Sequence, residues 1–108
     1  MVPWSPVIPV IGVGSDSAGD SHSAKTLAKH PDLQMVLITL KCGDSLGEHL
    51  AAGSVALQVL EGSVRVKVSR EVVDLVVGSL LTLGPSVPHD VEALDDSAVL
   101  LTIAGNIE

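Results

Sequence analysis

The sequence has no phenylalanine and no tyrosine, and only one tryptophan and one cysteine. Each scarcity excludes something. Without aromatic rings a site that works by stacking is out of reach, and modules for single-stranded nucleic acid depend on such platforms. Basic residues are few as well, 6 Lys and Arg against 13 Asp and Glu, for a formal net charge of −7. That charge repels phosphate, so nucleic acid is not an expected partner. One cysteine cannot form an internal disulfide, which removes the stapled extracellular scaffold and leaves a cytoplasmic setting as the expectation. The apolar opening, residues 1–19, is too short to span a bilayer, is broken by Pro3, Pro6 and Pro9, and lacks a positively charged start. Neither a membrane span nor a secretion signal is expected from it.

What is present is aliphatic. Hydrophobic residues make up 46% of the 108 positions, enough for one core of Val, Leu, Ile and Ala. Residues 1–23 read as an extended or flexible N-terminal arm that ends in the small polar linker 15–23, with His22 as a loop residue. In its functional reading the arm packs on a partner subunit. Residues 24–108 then form a single domain. Gly12, Gly14 and Gly19 have the wrong spacing for a dinucleotide-binding loop, and no helix follows them.

The domain alternates between apolar and polar residues with period 2. Residues 25–30 read as a short edge strand with Leu27 as its apolar contact and Lys25 and Lys29 as guards against foreign pairing. His30, Pro31 and Asp32 then turn the chain. Residues 34–41 are apolar on both faces, as in a strand between two layers. Cys42, Gly43 and Asp44 end it. Val55, Leu57 and Val59 share one face of the next strand; Glu61 and Gly62 turn it into a hairpin with Val64, Val66 and Val68, which alternate with Arg65, Lys67 and Ser69. A turn at Arg70 and Glu71 precedes a strand over 72–77, and Gly78 turns again into 80–83. Residues 84–88, with two prolines, are a bend. Val87, His89, Val91 and Ala93 fall on one face, and Asp90 and Glu92 on the other. Asp95 and Asp96 make the last turn before 98–104, another strand apolar on both sides. About nine short strands and no helix predict an all-β domain, closed as a small antiparallel β-barrel or jelly roll.

Several local features yield no chemistry. Residues 43–46 spell Gly-Asp-Ser-Leu, the block of a serine esterase family, but no amphipathic helices are present to build the larger α/β domain that family needs. A nucleophilic serine also needs an oriented base and an oxyanion hole, and four small residues supply neither. Cys42, with no second cysteine and no neighbouring base, reads as an inert thiol. No catalytic residue is assigned.

The two histidines facing inward are different. The stretch from Gly43 to Leu101 resembles the small single-domain cupins. The family's first motif falls on Gly43, His49, Ala51, Val55 and Gly62, and its second on Gly78, Gly84, Ser86, His89 and Ala93. The phrases Val59-Leu60-Glu61-Gly62 and Val87-Pro88-His89 are typical of it. The resemblance implies a cupin-like barrel, a homodimer, and in metal-binding members a ligand set at the positions of His49, Ala51, Val55 and His89. Only His49 and His89 carry donors, and two imidazoles hold a divalent metal weakly where catalytic sites use three protein ligands. Glu48, Asp90 and Glu92 sit one residue out of phase and face away; Gln58 would need a β-bulge to turn inward. The expected cofactor is therefore none, or a weakly held divalent metal on His49 and His89.

Three readings follow. In the first, a small-molecule-binding or sensing barrel, His49, Ala51, Val55, Leu57, His89 and Val91 line an apolar pocket, with the imidazoles as contacts to a small ligand. In the second, a metal-dependent cupin enzyme of dioxygenase or isomerase type, a third ligand must be found. In the third, the chain is a purely structural homodimer.

Overall fold

The computed structural model describes residues 22–48 and 51–105, and these residues form strands joined by turns, bends and irregular loops, with no helix among them. The strands are β1 (His22–His30), β2 (Leu33–Leu40), β3 (Ser54–Glu61), β4 (Ser63–Val68), β5 (Glu71–Val76), β6 (Leu80–Leu83), β7 (His89–Ala93) and β8 (Ser97–Ala104). They form two antiparallel sheets, one of five strands in the order β1-β2-β8-β3-β6 and one of three in the order β5-β4-β7. The all-β expectation holds, with eight strands among the described residues where about nine were expected. Before β3 the chain makes one further bridge, Ser45 opposite Glu92. Around it Gly43 N–H donates to Ala93 O at 2.8 Å, Ala93 N–H to Asp44 O at 2.8 Å and Leu46 N–H to Val91 O at 3.0 Å. Residues 43–46 thus run along β7 and lengthen the smaller sheet.

The interior lies between the sheets. Ile38 and Leu40 of β2, Val55, Leu57 and Val59 of β3, and Val99 and Leu101 of β8 meet Val64 and Val66 of β4, Leu75 of β5, and Val91 and Ala93 of β7. The period-2 pattern assigns these faces directly, since alternate side chains of a strand point to opposite sides. On the outer side of the smaller sheet, Arg65 donates from Nε to Asp74 Oδ1 at 2.8 Å and from Nη2 to Oδ2 at 3.1 Å.

Three expectations are corrected. First, β3 and β4 are not a hairpin: β3 pairs with β6 and β8, while β4 pairs with β5 and β7. Gly62 is a corner at which the chain changes sheets. Its φ is +76°, and a Cβ there would collide with the Asp96 carbonyl oxygen and Ser97 Oγ, so the tight local turn serves a bend between layers. Second, β1 begins at His22, so His22 and Ser23 belong to a strand and not to the linker. Ser23 Oγ shares a hydrogen bond with Thr39 Oγ1 on β2. Leu27, expected as the main apolar contact of β1, lies where the register shifts between Thr26 and Ala28. Third, the β4–β5 turn lies at Ser69 and Arg70, one residue earlier than expected, with Ser69 at φ +55°. The arm expected over residues 1–23 lies outside the described residues as far as residue 21.

Candidate functional site

His89 opens β7 directly after the proline-bounded bend. That bend is set by Ser86, which takes φ +60° at the position where the family resemblance expects glycine, and whose N–H donates to Ala51 O at 2.8 Å. This bond holds the loop before β7 against the segment that leads into β3. From there the pleat carries His89, Val91 and Ala93 inward, and Asp90 and Glu92 outward, as the alternation predicts. His89 is 2% exposed. Its Nδ1 lies 3.0 Å from the Val87 carbonyl oxygen. A carbonyl only accepts, so Nδ1 carries a proton and donates, and Nε2 is the acceptor of the neutral ring. Among the described residues the buried polar side chains are Thr39, His89 and Ser97, and of these only His89 carries a ring nitrogen.

The other residues expected at the site divide as follows. Val55, Leu57 and Val91 are buried in the same core cluster, and Ala51 packs half-buried against it. His49 lies outside the described residues. The structure thus brings His89 into the interior that Val55, Leu57 and Val91 build from the facing sheets. Gln58 stays on the outer face of β3, opposite Leu80 and Leu100, and the register shift between Val59 and Glu61 leaves it there. Asp90 and Glu92 pair across to Lys67 and Arg65 on the outer side of the smaller sheet.

The donor set does not fit a three-ligand metal centre. The side chains of Ala51 and Val55, at two of the four positions that the resemblance gives to ligands, carry no lone pair. Among the described residues no group of three or more His, Cys, Asp or Glu side chains is placed to hold a metal ion. Ser45, the serine of the Gly-Asp-Ser-Leu block, is exposed and accepts from Gly47 N–H at 3.3 Å, as a turn residue does. Cys42 is exposed, with Sγ donating to Leu94 O at 3.1 Å.

Sequence reasoning passed over Ser97 and the Val87 carbonyl. Ser97 precedes an apolar run and looks like turn residue; its role as a joint between the sheets depends on Ser63, 34 positions away. The Val87 carbonyl leaves no trace in a side-chain pattern.

No protein-family model and no curated protein sequence matches the chain. Solved structures do. A cupin 2 conserved barrel domain protein from Leptotrichia buccalis superposes with a TM-score of 0.77 at 27% identity, over 85% of this chain and 44% of that one. An RmlC-like cupin from Desulfovibrio desulfuricans does so with a TM-score of 0.72 at 29% identity, over 77% of this chain and 81% of that one. Salicylate 1,2-dioxygenase from Pseudoaminobacter salicylatoxidans aligns with a TM-score of 0.73 at 21% identity, over 78% of this chain and 25% of that one, a likeness of fold alone. Two antiparallel sheets closed on an aliphatic interior, with these neighbours, give the chain the cupin fold.

Proposed function

We propose that the chain is a small-molecule-binding or sensing cupin without catalysis of its own, in which His89 is the polar contact to the ligand. The observation that supports this is His89 itself: an imidazole at 2% exposure, held by its Nδ1–H on Val87 O, on the inward face of a strand whose other inward residues are Val and Ala. A neutral ring so held accepts a hydrogen bond from a ligand hydroxyl or amine at Nε2; a protonated one donates to a carboxylate there. The aliphatic side chains of Val55, Leu57 and Val91 would supply the apolar wall.

The alternative, a metal-dependent dioxygenase or isomerase, needs donors that Ala51 and Val55 lack, so no reaction step is assigned to the chain. Ligand-observed NMR with small hydroxylated and carboxylate-bearing molecules tests the proposal on the full-length protein and on His89→Ala. A ligand whose affinity falls about tenfold or more in the variant, about 1.4 kcal/mol, supports it. A ligand that binds both equally well overturns it, and so does the lack of any ligand while His89→Ala loses only stability.

A further inference from the structure

The edge of β5 is open where other edges are blocked. Among the described residues β5 pairs only with β4, from Ser63 opposite Val76 to Val68 opposite Glu71 with no shift of register. The outermost strands of the larger sheet carry features that discourage pairing with a foreign strand. β1 is interrupted by the register shift between Thr26 and Ala28 and carries Lys25 and Lys29. β6 is four residues long. β5 has no bulge, no proline and no lysine. On its outer face Val72 is 57% exposed and Val76 62%. Asp74 stands between them, and Arg65 of the same sheet takes up its charge through two hydrogen bonds.

The backbone groups of this edge can be assigned one residue at a time. Val76 N–H donates to Ser79 Oγ at 3.2 Å, and Val76 O accepts from Ser79 N–H at 2.9 Å, so both groups point away from β4. Opposite, Ser63 N–H donates to Ser97 Oγ and Ser63 O accepts from Leu94 N–H, so Ser63 turns away from β5 as well. In an antiparallel ladder such positions alternate with bonded ones, so Asp74 and Val72 also direct N–H and C=O outward, while Val73 and Leu75 bond to β4. Ser79 caps one end of the edge, and the turn at Ser69 and Arg70 closes the other. Between them the backbone groups of Val72 and Asp74 face out.

We propose that this edge pairs with β5 of a second copy, antiparallel about a two-fold axis at Val73. In that register Val72 of each copy lies opposite Asp74 of the other and the two exchange both backbone bonds, so every outward group of the edge is satisfied. Sliding one copy toward an axis at Asp74 would set the two Asp74 carboxylates directly opposite each other, and would call on the Val76 N–H that Ser79 already holds. Sliding it the other way would call on Arg70, which lies in the turn. The strand is thus its own complement: turned by half a revolution, it offers Asp74 to Val72 and Val72 to Asp74, and it ends where its own cap and turn end. A paired strip of roughly 17 Å, residues 71–75 at strand rise, buries less than the about 800 Å² per partner of a standard stable interface. The dimer is therefore reversible and forms with concentration.

Sedimentation velocity on the full-length protein, from micromolar to millimolar concentration, should show a reversible equilibrium between monomer and dimer. Val72→Pro removes an N–H that no bond to β4 uses, and should weaken the dimer about tenfold or more, since the symmetry counts the loss twice. Val72→Thr keeps the N–H and the branched shape and should leave the affinity within about twofold. Leu80→Lys, on the outer face of the larger sheet, should dimerise as the wild type does. Amide exchange read by NMR gives a second test that needs no variant and stands even if Val72→Pro lowers stability. Exchange at Val72 and Asp74 should slow several-fold as concentration rises, while Val73, already bonded to β4, should not change. A chain that stays monomeric at millimolar concentration overturns the proposal. So does a dimer indifferent to Val72→Pro, or one lost in Leu80→Lys, which would place the contact on the larger sheet. Growth beyond the dimer also overturns it, because a head-to-tail contact between unlike edges does not close.

Discussion

Ser97 grips the backbone of Ser63: its Oγ accepts from Ser63 N–H at 3.1 Å and stands 2.9 Å from Ser63 O and 2.7 Å from Asp95 O, to one of which it donates. Ser97 belongs to β8 of the larger sheet and Ser63 to β4 of the smaller one, so this contact and the Gly62 corner beside it join the two layers. Ser97→Ala would leave the Ser63 N–H without that acceptor, at a cost of about 1–3 kcal/mol. Gly62→Ala would force a residue with a Cβ into a left-handed conformation against the Asp96 carbonyl, also at about 1–3 kcal/mol. Urea denaturation measures both. Because the two residues touch, the double variant should lose less than the sum.

The interior and the open edge of the larger sheet should respond differently to the same truncation. Leu57→Ala removes a fully buried side chain from the centre of the core and should cost about 2–5 kcal/mol. Leu80→Ala, on the neighbouring strand β6 but exposed, should stay within about 0.5 kcal/mol. Equal effects would mean that Leu80 is covered in solution.

Metal content separates the ligand-binding reading from the enzymatic one. After growth with added iron, manganese or zinc and dialysis, elemental mass spectrometry should find well under one equivalent in the wild type and in His89→Ala alike. Near-stoichiometric metal that disappears in His89→Ala would reveal donors beyond the described residues and put the enzymatic reading first.

On the outer side of the smaller sheet, the two hydrogen bonds from Arg65 hold the Asp74 carboxyl below its ordinary value. A carboxyl lowered in the folded state stabilises it at pH above the ordinary value, and that stabilisation is lost as pH falls through the lowered one. The difference in melting temperature between wild type and Asp74→Asn should therefore be greatest near neutral pH and vanish in acid. It should be small at any pH, since both side chains are exposed, and should shrink further in high salt. A difference that grows in acid would count against the pair as its origin.

The alternation of Val64 and Val66 with Arg65 and Lys67 was enough to assign both faces of β4, and the same reading turned His89 inward and Asp90 and Glu92 outward. It also marked β2 and β8 as apolar on both sides, and Leu37 and Ala98 are indeed buried on the outer side. It failed at Gly62, where Glu61-Gly62 looks like any hairpin turn. A tight turn constrains the few residues within it and not the partners of the strands it joins. His89 was legible as an inward ring, whereas its tautomer came from a backbone carbonyl that no side-chain pattern records.

The sequence by itself determined most of the strand segments, which of their side chains face the interior, and that this interior is aliphatic, because each of these follows from local periodicity and from hydrophobic residues avoiding water. Only the tertiary structure decided which strand lies beside which, that Gly62 is a corner, and that Ser63 meets Ser97. The ladder hydrogen bonds are backbone groups common to every residue but proline, so they carry almost no preference among partners. The choice is made when two sheets must bury their inner faces against each other at once, and that condition belongs to the whole chain.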